Sequence, residues 1–206
     1  MTARKPVILG LTGSIGMGKS AVAAMLREFG VPVFDADAAV HELQGPGGAC
    51  LAPIERVFPG TTGPQGVDRQ KLGAAVFDNP DQLRLLEAIV HPAVAELRRA
   101  FLADNGGEPL LVFDIPLLFE KSGQHGLDAV AVVSAPAAVQ RKRVLARPGM
   151  SVEKFEKILA LQVPDADKRA RADFVIDTGV VLAETRAQVA ALVAHLRKNG
   201  PWPIPN

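Results

Sequence analysis

Val7-Ile8-Leu9-Gly10-Leu11-Thr12-Gly13-Ser14-Ile15-Gly16-Met17-Gly18-Lys19-Ser20 sets an apolar run directly against a glycine-rich stretch that ends in lysine and serine. The run Val7 to Thr12 is continuous rather than alternating, which suits a strand buried on both faces in a parallel sheet. Gly13 to Ser20 fits G-x-x-x-x-G-K-[ST], the phosphate-binding P-loop pattern. Glycines let the main chain curl close round an anion without side chains in the way. The amide N–H groups then converge at the amino end of a helix, where the dipole favours negative charge. Gly13, Ser14, Ile15, Gly16, Met17, Gly18, Lys19, Ser20 and Ala21 are therefore expected to hold a nucleotide's phosphates, a pattern that GTPases and ATPases share. Lys19 would reach the β- and γ-phosphates, and the Ser20 hydroxyl would take Mg²⁺.

Working outward, Val22, Met25, Leu26 and Phe29 fall at helical spacing, with Gly30 as a stop. Val31-Pro32-Val33-Phe34 reads as a second strand with Asp35 and Asp37 at its end, so the chain opens as a βαβ unit. From about 38 to 105 the character changes. Turn signals at Gly45-Pro46-Gly47-Gly48 and from Pro59 to Gly66 separate helical patterns, clearest at Leu83, Leu86, Ile89 and Val90 and again at Val94, Leu97, Phe101 and Leu102. No strand is evident there, and the stretch is expected to be a helical excursion from the sheet.

Strands resume at Leu110-Leu111-Val112-Phe113-Asp114 and Ala129 to Val133. Ser134 is placed to cap a helix with Pro136 in its first turn. That helix carries Arg141, Lys142, Arg143 and Arg147, and Pro148-Gly149 breaks it. Ser151 can cap another helix to about Gln162. Phe174-Val175-Ile176-Asp177 is a last strand, and Leu182, Val189, Leu192, Val193 and Leu196 mark a final amphipathic helix before a proline-rich tail. Five strands alternating with helices predict an α/β fold, a doubly wound parallel five-stranded sheet of the P-loop NTPase class, with ligands at the carboxyl ends of the strands. The whole chain, 1–206, reads as a single domain.

Composition narrows the function. Of 206 residues 48% are hydrophobic, enough for one good core, and 23 basic against 22 acidic residues give a net charge of +1. A whole-surface nucleic-acid or membrane binder is usually more lopsided, so neither partner is expected. Cys50 is the one cysteine, which rules out an intrachain disulfide and fits a reducing compartment. No apolar run approaches the ~20 residues that cross a bilayer. The expected location is the cytoplasm.

Several runs resemble the dephospho-CoA kinase family. They are the P-loop Leu11 to Ser20; Val33-Phe34-Asp35-Ala36-Asp37 with His41; Leu86 to Pro92 around His91-Pro92; and Asp114-Ile115-Pro116-Leu117-Leu118-Phe119-Glu120. Arg143, Arg147, Gln162, Lys168, Ala172-Asp173 and Val175-Ile176-Asp177 follow in the family's order. The likeness runs from about Val7 to Gly179. It implies ATP and Mg²⁺ as cofactors, dephospho-CoA as the acceptor, and transfer of the γ-phosphate to the ribose 3′-hydroxyl at a site that needs no oligomer. It also implies a three-part build: a P-loop core, a helical CoA-binding part at 38–105 and a small lid at 141–165. Ala21, Ala93 and Thr178 depart from residues common in the family, and Ala93 removes one possible contact to the substrate's phosphates. Nucleotide and shikimate-type kinases share the P-loop and an arginine lid but not the Asp-Ala-Asp and Asp-Ile-Pro-Leu-Leu-Phe-Glu runs. No Asn-Lys-x-Asp guanine-reading element occurs, against a GTP switch.

Asp35 and Asp37 are two apart, so on an extended chain they point the same way. Either could face the γ-phosphate, or cap the next helix instead. The resemblance favours Asp37 as the acceptor of the ribose hydroxyl proton, supported by Asp35. Asp114 could orient Mg²⁺ as a Walker-B-type acid or simply make a turn. Thr12, His91, Leu117, Leu118 and Glu120 are placed on the acceptor side, although apolar residues in such a run are equally suited to the core and His91 to a helix junction. Arg143 and Arg147 are four apart on the expected helix and would close over the γ-phosphate, Arg143 on ATP and Arg147 on the transition state. Arg141 and Lys142 belong to its solvated face.

Overall fold

The computed structural model describes residues 5–120 and 126–200. Strand β1 (Val7–Thr12) is buried along its whole length. Its odd-numbered side chains, Val7, Leu9 and Leu11, pack with Val22, Met25 and Leu26 of helix α1 (Lys19–Glu28). α1 stops where the spacing put the stop: Gly30 takes φ 67° and donates to the Arg27 carbonyl at 2.9 Å, while the Val31 N–H reaches the Leu26 carbonyl at 3.0 Å. This left-handed closure satisfies two end carbonyls at once and turns the chain into strand β2 (Val33–Asp35).

Residues 35–104 form a compact unit of their own. It contains α2 (Ala36–Gln44), α3 (Leu51–Val57), a hairpin of β3 (Thr62–Gly63) and β4 (Gly66–Val67), α4 (Arg69–Val76) and α5 (Pro80–Asp104). Leu43, Cys50, Ile54, Phe58, Leu72 and Val90 make its core. The two-residue hairpin is too short to leave an alternating signature, which is why the sequence shows no strand here. α5 also departs from expectation. His91-Pro92 is not a junction, because the helix runs through Pro92 for 25 residues. The proline forgoes one main-chain bond, to the Ala88 carbonyl. The apolar face on either side, from Leu86 to Leu97, holds the helix against the core.

The chain then returns to the sheet through β5 (Leu110–Asp114), β6 (Ala129–Ser134) and β7 (Phe174–Asp177), interleaved with α6 (Ala137–Leu145), α7 (Val152–Ala160) and α8 (Asp165–Ala170), and closes with α9 (Leu182–Asn199). Strand order is β2-β5-β1-β6-β7. β1 is parallel to β5, with Leu11 opposite Asp114, and parallel to β6, which is parallel to β7. β1 is thus the central strand at which the order reverses, the switch point where such sheets take their ligands. Val189, Leu192, Val193 and Leu196 of α9 complete the core on the α1 side. On the other side Leu118, Phe119, Val130 and Val132 make a second cluster.

Three local expectations are corrected. Ser134 does not cap α6, whose N-cap is Pro136 with no side-chain cap bond; the Ser134 hydroxyl donates to Asp165 Oδ2 at 2.8 Å. α7 is capped by Ser151, whose Oγ accepts from the Lys154 N–H, but it ends at Ala160, short of Gln162. α8 was not expected; six residues are too few to show a periodic pattern. Among the described residues no helix is long and apolar enough to cross a membrane.

Candidate active site

The loop Gly13 to Gly18 connects the carboxyl end of β1 to α1. Gly18 occupies the N-cap of α1 at φ 88°, no side chain caps the helix, and its first turn carries no acid. The amino end of α1 is therefore an open, positive, amide-lined terminus. Ser14 adds a buried hydroxyl that meets no hydrogen-bond partner among the described residues. An anion with several oxygens fits this set of donors.

The glycines do more than clear space for a phosphate. A Cβ on Gly16 would sit 2.4 Å from Cγ2 of Val144 on α6, and one on Gly18 would sit 3.1 Å from Oγ1 of Thr178, just past β7. Both also take positive φ, which side-chain-bearing residues rarely adopt. The loop is thus wedged between α6 and the end of β7. Thr178 Oγ1 donates to the Met17 carbonyl at 2.6 Å, fixing the loop from that side.

Lys19 forms an ion pair through Nζ with Oδ1 of Asp114, the last residue of β5. The sheet register helps: Asp114 lies opposite Leu11, beside the carboxyl end of β1 from which the loop leads to Lys19 at the start of α1. Asp114 is buried at 3% exposure, and the lysine supplies the countercharge that makes burial tolerable. Ser20 is exposed next to Lys19 at the start of α1.

Thr12 departs from its expected place at the substrate. It is wholly buried, and its hydroxyl donates to the Pro116 carbonyl at 3.1 Å, tying β1 to the segment leaving β5. Glu120 and Leu118 also turn inward. Leu118 has no exposed surface and lies in the core, whereas Leu117 is 39% exposed. Glu120 Oε1 accepts the Val163 N–H at 3.0 Å and lies 2.8 Å from Nζ of the fully buried Lys168. Burial pushes the Glu120 carboxyl up, but the hydrogen bonds from Lys168 and Val163 and the lysine's charge outweigh it and hold the group below the usual range. The continuous apolar stretch Leu117-Leu118-Phe119 gave no sign of which side chains turn inward.

Arg143 and Arg147 do not share a helix face. α6 ends at Leu145 with Ala146 as its cap, so Arg147 lies beyond it. Arg143 is engaged by Thr178, its Nη2 reaching the main-chain carbonyl at 2.6 Å. Arg147 is exposed, and its guanidinium meets no partner among the described residues. Arg141 and Lys142 are exposed as expected, Arg141 lying 3.9 Å from Glu156 of α7.

In the unit 35–104, β2 stops at Asp35 and α2 begins at once, so Asp35 and Asp37 do not alternate along an extended chain. Asp35 is the N-cap, its Oδ1 accepting the Ala38 N–H at 2.9 Å. Asp37 sits in the first turn, exposed. His41, one turn on, meets Nη2 of Arg69 at 2.7 Å through Nε2. His91 is exposed on α5. Sequence reasoning missed Arg69, because nothing near Gly66-Val67-Asp68 in the sequence announces chemistry.

Comparison with known proteins extends the family likeness over nearly the full length of the chain. The family model described as dephospho-CoA kinase matches residues 7–184. A protein of Novosphingobium aromaticivorans named dephospho-CoA kinase is 71% identical over 197 residues, 96% of this chain and 98% of that one. A crystal structure from Thermus thermophilus superposes with a TM-score of 0.83 at 36% identity, covering 94% of this chain and 99% of its own. A dephospho-CoA kinase from Campylobacter jejuni shares the fold with a TM-score of 0.64 at 23% identity, over 92% and 96% of the two chains. A phosphate loop at the switch strand, a lysine paired across that strand's edge and a match along nearly the full length place the chain in the dephospho-CoA kinase family.

Proposed function

We propose that the protein passes the γ-phosphoryl group of ATP to the ribose 3′-hydroxyl of dephospho-CoA, giving coenzyme A and ADP. The observation that carries this reading is the uncapped amino end of α1 beneath Gly13 to Ser20, with Lys19 beside it. The main-chain amides there bind the phosphates, and Lys19 neutralises charge that builds on the transferring group. Ser20 and Asp114 are hard oxygen donors of the kind Mg²⁺ takes. When bound with the nucleotide, the ion draws charge from the phosphate oxygens. Arg147, whose guanidinium meets no partner among the described residues, closes over the γ-phosphate within a lid spanning 141–165.

On the acceptor side, Asp37 takes the proton of the ribose hydroxyl, a role supported by its place in the Asp-Ala-Asp run and by its exposed carboxylate. Residues 38–105 bind the rest of the acceptor, with His91 and the exposed Leu117 as candidate contacts. The partners are two small molecules. The setting is the cytoplasm, to which the free, buried Cys50 thiol is suited.

An ATP assay with dephospho-CoA tests the reading, with the product examined for a 3′-phosphate. ADP release that depends on dephospho-CoA is expected. ADP release without it, or a product lacking the 3′-phosphate, would overturn the assignment.

A further inference from the structure

One residue of the phosphate loop is held at both its main-chain polar groups by side chains from the two roots of the lid. The Ile15 carbonyl accepts from Nε2 of Gln140 at 2.8 Å, and the Ile15 N–H donates to Oε1 of Gln162 at 3.0 Å. Gln140 is the last residue before the segment 141–165, and Gln162 follows the end of α7. The amide orientations are dictated by chemistry: a carbonyl can only accept and an N–H can only donate, so Gln140 must offer its NH₂ and Gln162 its oxygen.

Both anchors are themselves fixed. Gln140 is buried at 4% exposure, and its main-chain oxygen lies 3.2 Å from where a Cβ on Gly16 would stand. α6 is therefore seated against Ile15 and Gly16 by packing as well as by a hydrogen bond. On the other side Val163, next to Gln162, donates to Glu120, and Glu120 is paired with the buried Lys168. Neither glutamine side chain can swing away without breaking its part-buried hydrogen bond to the Ile15 main chain.

We propose that Gln140 and Gln162 are positioning residues that moor both roots of the lid to Ile15. The phosphate loop and the arginine-bearing segment then hold one geometry with Ile15 as a shared anchor. Neither glutamine touches ATP; they act through the Ile15 main chain. The inference rests on the reading of 141–165 as the lid of an ATP-dependent transferase.

The test compares kcat and KM for both substrates, with thermal melting, across Gln140→Met, Gln162→Met, Gln140→Glu, Gln162→Glu and the double Met variant. Each Met variant removes one anchor and is expected to lower kcat about tenfold, with KM for dephospho-CoA within about twofold, because misplacement acts on the reacting geometry. The two Glu variants add the same charge with opposite consequences. Gln162→Glu keeps an acceptor for the Ile15 N–H and should recover most of the rate lost in Gln162→Met. Gln140→Glu sets acceptor against acceptor and should be the slowest single variant. The double Met variant should be no more than about threefold slower than the worse single one, since both act through one residue. If the Gln140 variants fail to fold, Gln162→Met against Gln162→Glu decides alone. A folded Gln162→Met with kcat within twofold of wild type, or equal losses in the two Glu variants, would overturn the inference. A wild-type chain that turns over no dephospho-CoA would instead overturn the function and take this inference with it.

Discussion

Arg143 grips Thr178 at two atoms: Nη1 reaches Oγ1 at 3.1 Å and Nη2 the main-chain carbonyl at 2.6 Å. Thr178 passes the constraint on, since its hydroxyl donates to the Met17 carbonyl inside the phosphate loop. Thr178→Val keeps the shape but removes the hydroxyl, leaving the Met17 carbonyl and one Arg143 N–H without that partner. Leaving a buried polar group unsatisfied costs about 1–3 kcal/mol. The variant should unfold at lower denaturant concentration and bind ATP more weakly, with kcat changed less than KM for ATP. Unchanged stability and ATP affinity in denaturant titration and equilibrium binding would show that Thr178 does not hold the loop.

Arg147 differs from its neighbour because its guanidinium meets no partner among the described residues. Its contacts would form when ATP is held, so Arg147→Ala should lower kcat more than ATP affinity and leave melting unchanged. Arg141→Ala removes only an exposed pairing with Glu156 at 3.9 Å, of the kind worth ~0–1 kcal/mol, and should be close to neutral. Steady-state kinetics in which Arg141 matters and Arg147 does not would reverse the assignment.

The Lys19–Asp114 pair separates chemistry from stability. Lys19→Ala removes the cation from the transferring phosphate and should nearly abolish turnover. It also removes the countercharge beside the buried Asp114 carboxylate, so the fold should be weakened as well. Lys19→Ala combined with Asp114→Asn removes the carboxylate's charge along with the lysine's and should regain melting temperature without regaining transfer. Recovery of both together would mean that Lys19 serves the fold alone.

Glu120 gives the fold a pH dependence of definite sign. Its carboxyl is held below the usual range in the folded chain, so its contribution to stability is full above the unfolded value of about 4.3. That contribution is lost as pH falls through the lower, folded value. Glu120→Gln should therefore flatten the stability profile below about pH 4.5 relative to wild type. Lys168→Met leaves Glu120 unpaired and should cost about 3–5 kcal/mol at neutral pH. Denaturant unfolding at several pH values checks both, and identical acid profiles for wild type and Glu120→Gln would remove Glu120 from the account.

The parts legible in the sequence were those whose signal is local. The buried strand Val7–Thr12, the loop Gly13 to Ser20 and the Gly30 stop follow from apolar continuity, glycine spacing and turn chemistry within a few residues. The inward turn of Thr12, Leu118 and Glu120 was not legible, because it is set by partners such as Pro116 and Lys168 that the sheet brings together from far along the chain. Ser134 failed as a cap for the same reason: Asp165 captures its hydroxyl across 31 residues. Arg147 escaped its helix because α6 ends at Leu145, and end positions are the weakest part of any periodic reading.

Asp35 and Asp37 give the sharpest test of the transfer step, because the structure gives them different tasks. Asp35 accepts the Ala38 N–H and caps α2, so Asp35→Ala should cost about 1 kcal/mol of stability, whereas Asp35→Asn keeps a capping oxygen and most of it. Asp37 sits one turn before His41 with an exposed carboxylate that meets no partner among the described residues. A ribose hydroxyl is a weak nucleophile at neutral pH, and a carboxylate in hydrogen-bond reach removes its proton and fixes the line of attack. Asp37→Asn preserves size and geometry but not basicity. Single-turnover transfer should fall roughly a hundredfold or more, with ATP affinity little changed and melting unaffected. Asp35→Asn should lose far less. A larger loss in Asp35→Asn, with Asp37→Asn transferring near the normal rate, would move the proton acceptor to the cap residue and leave Asp37 as a favourable charge at the start of α2.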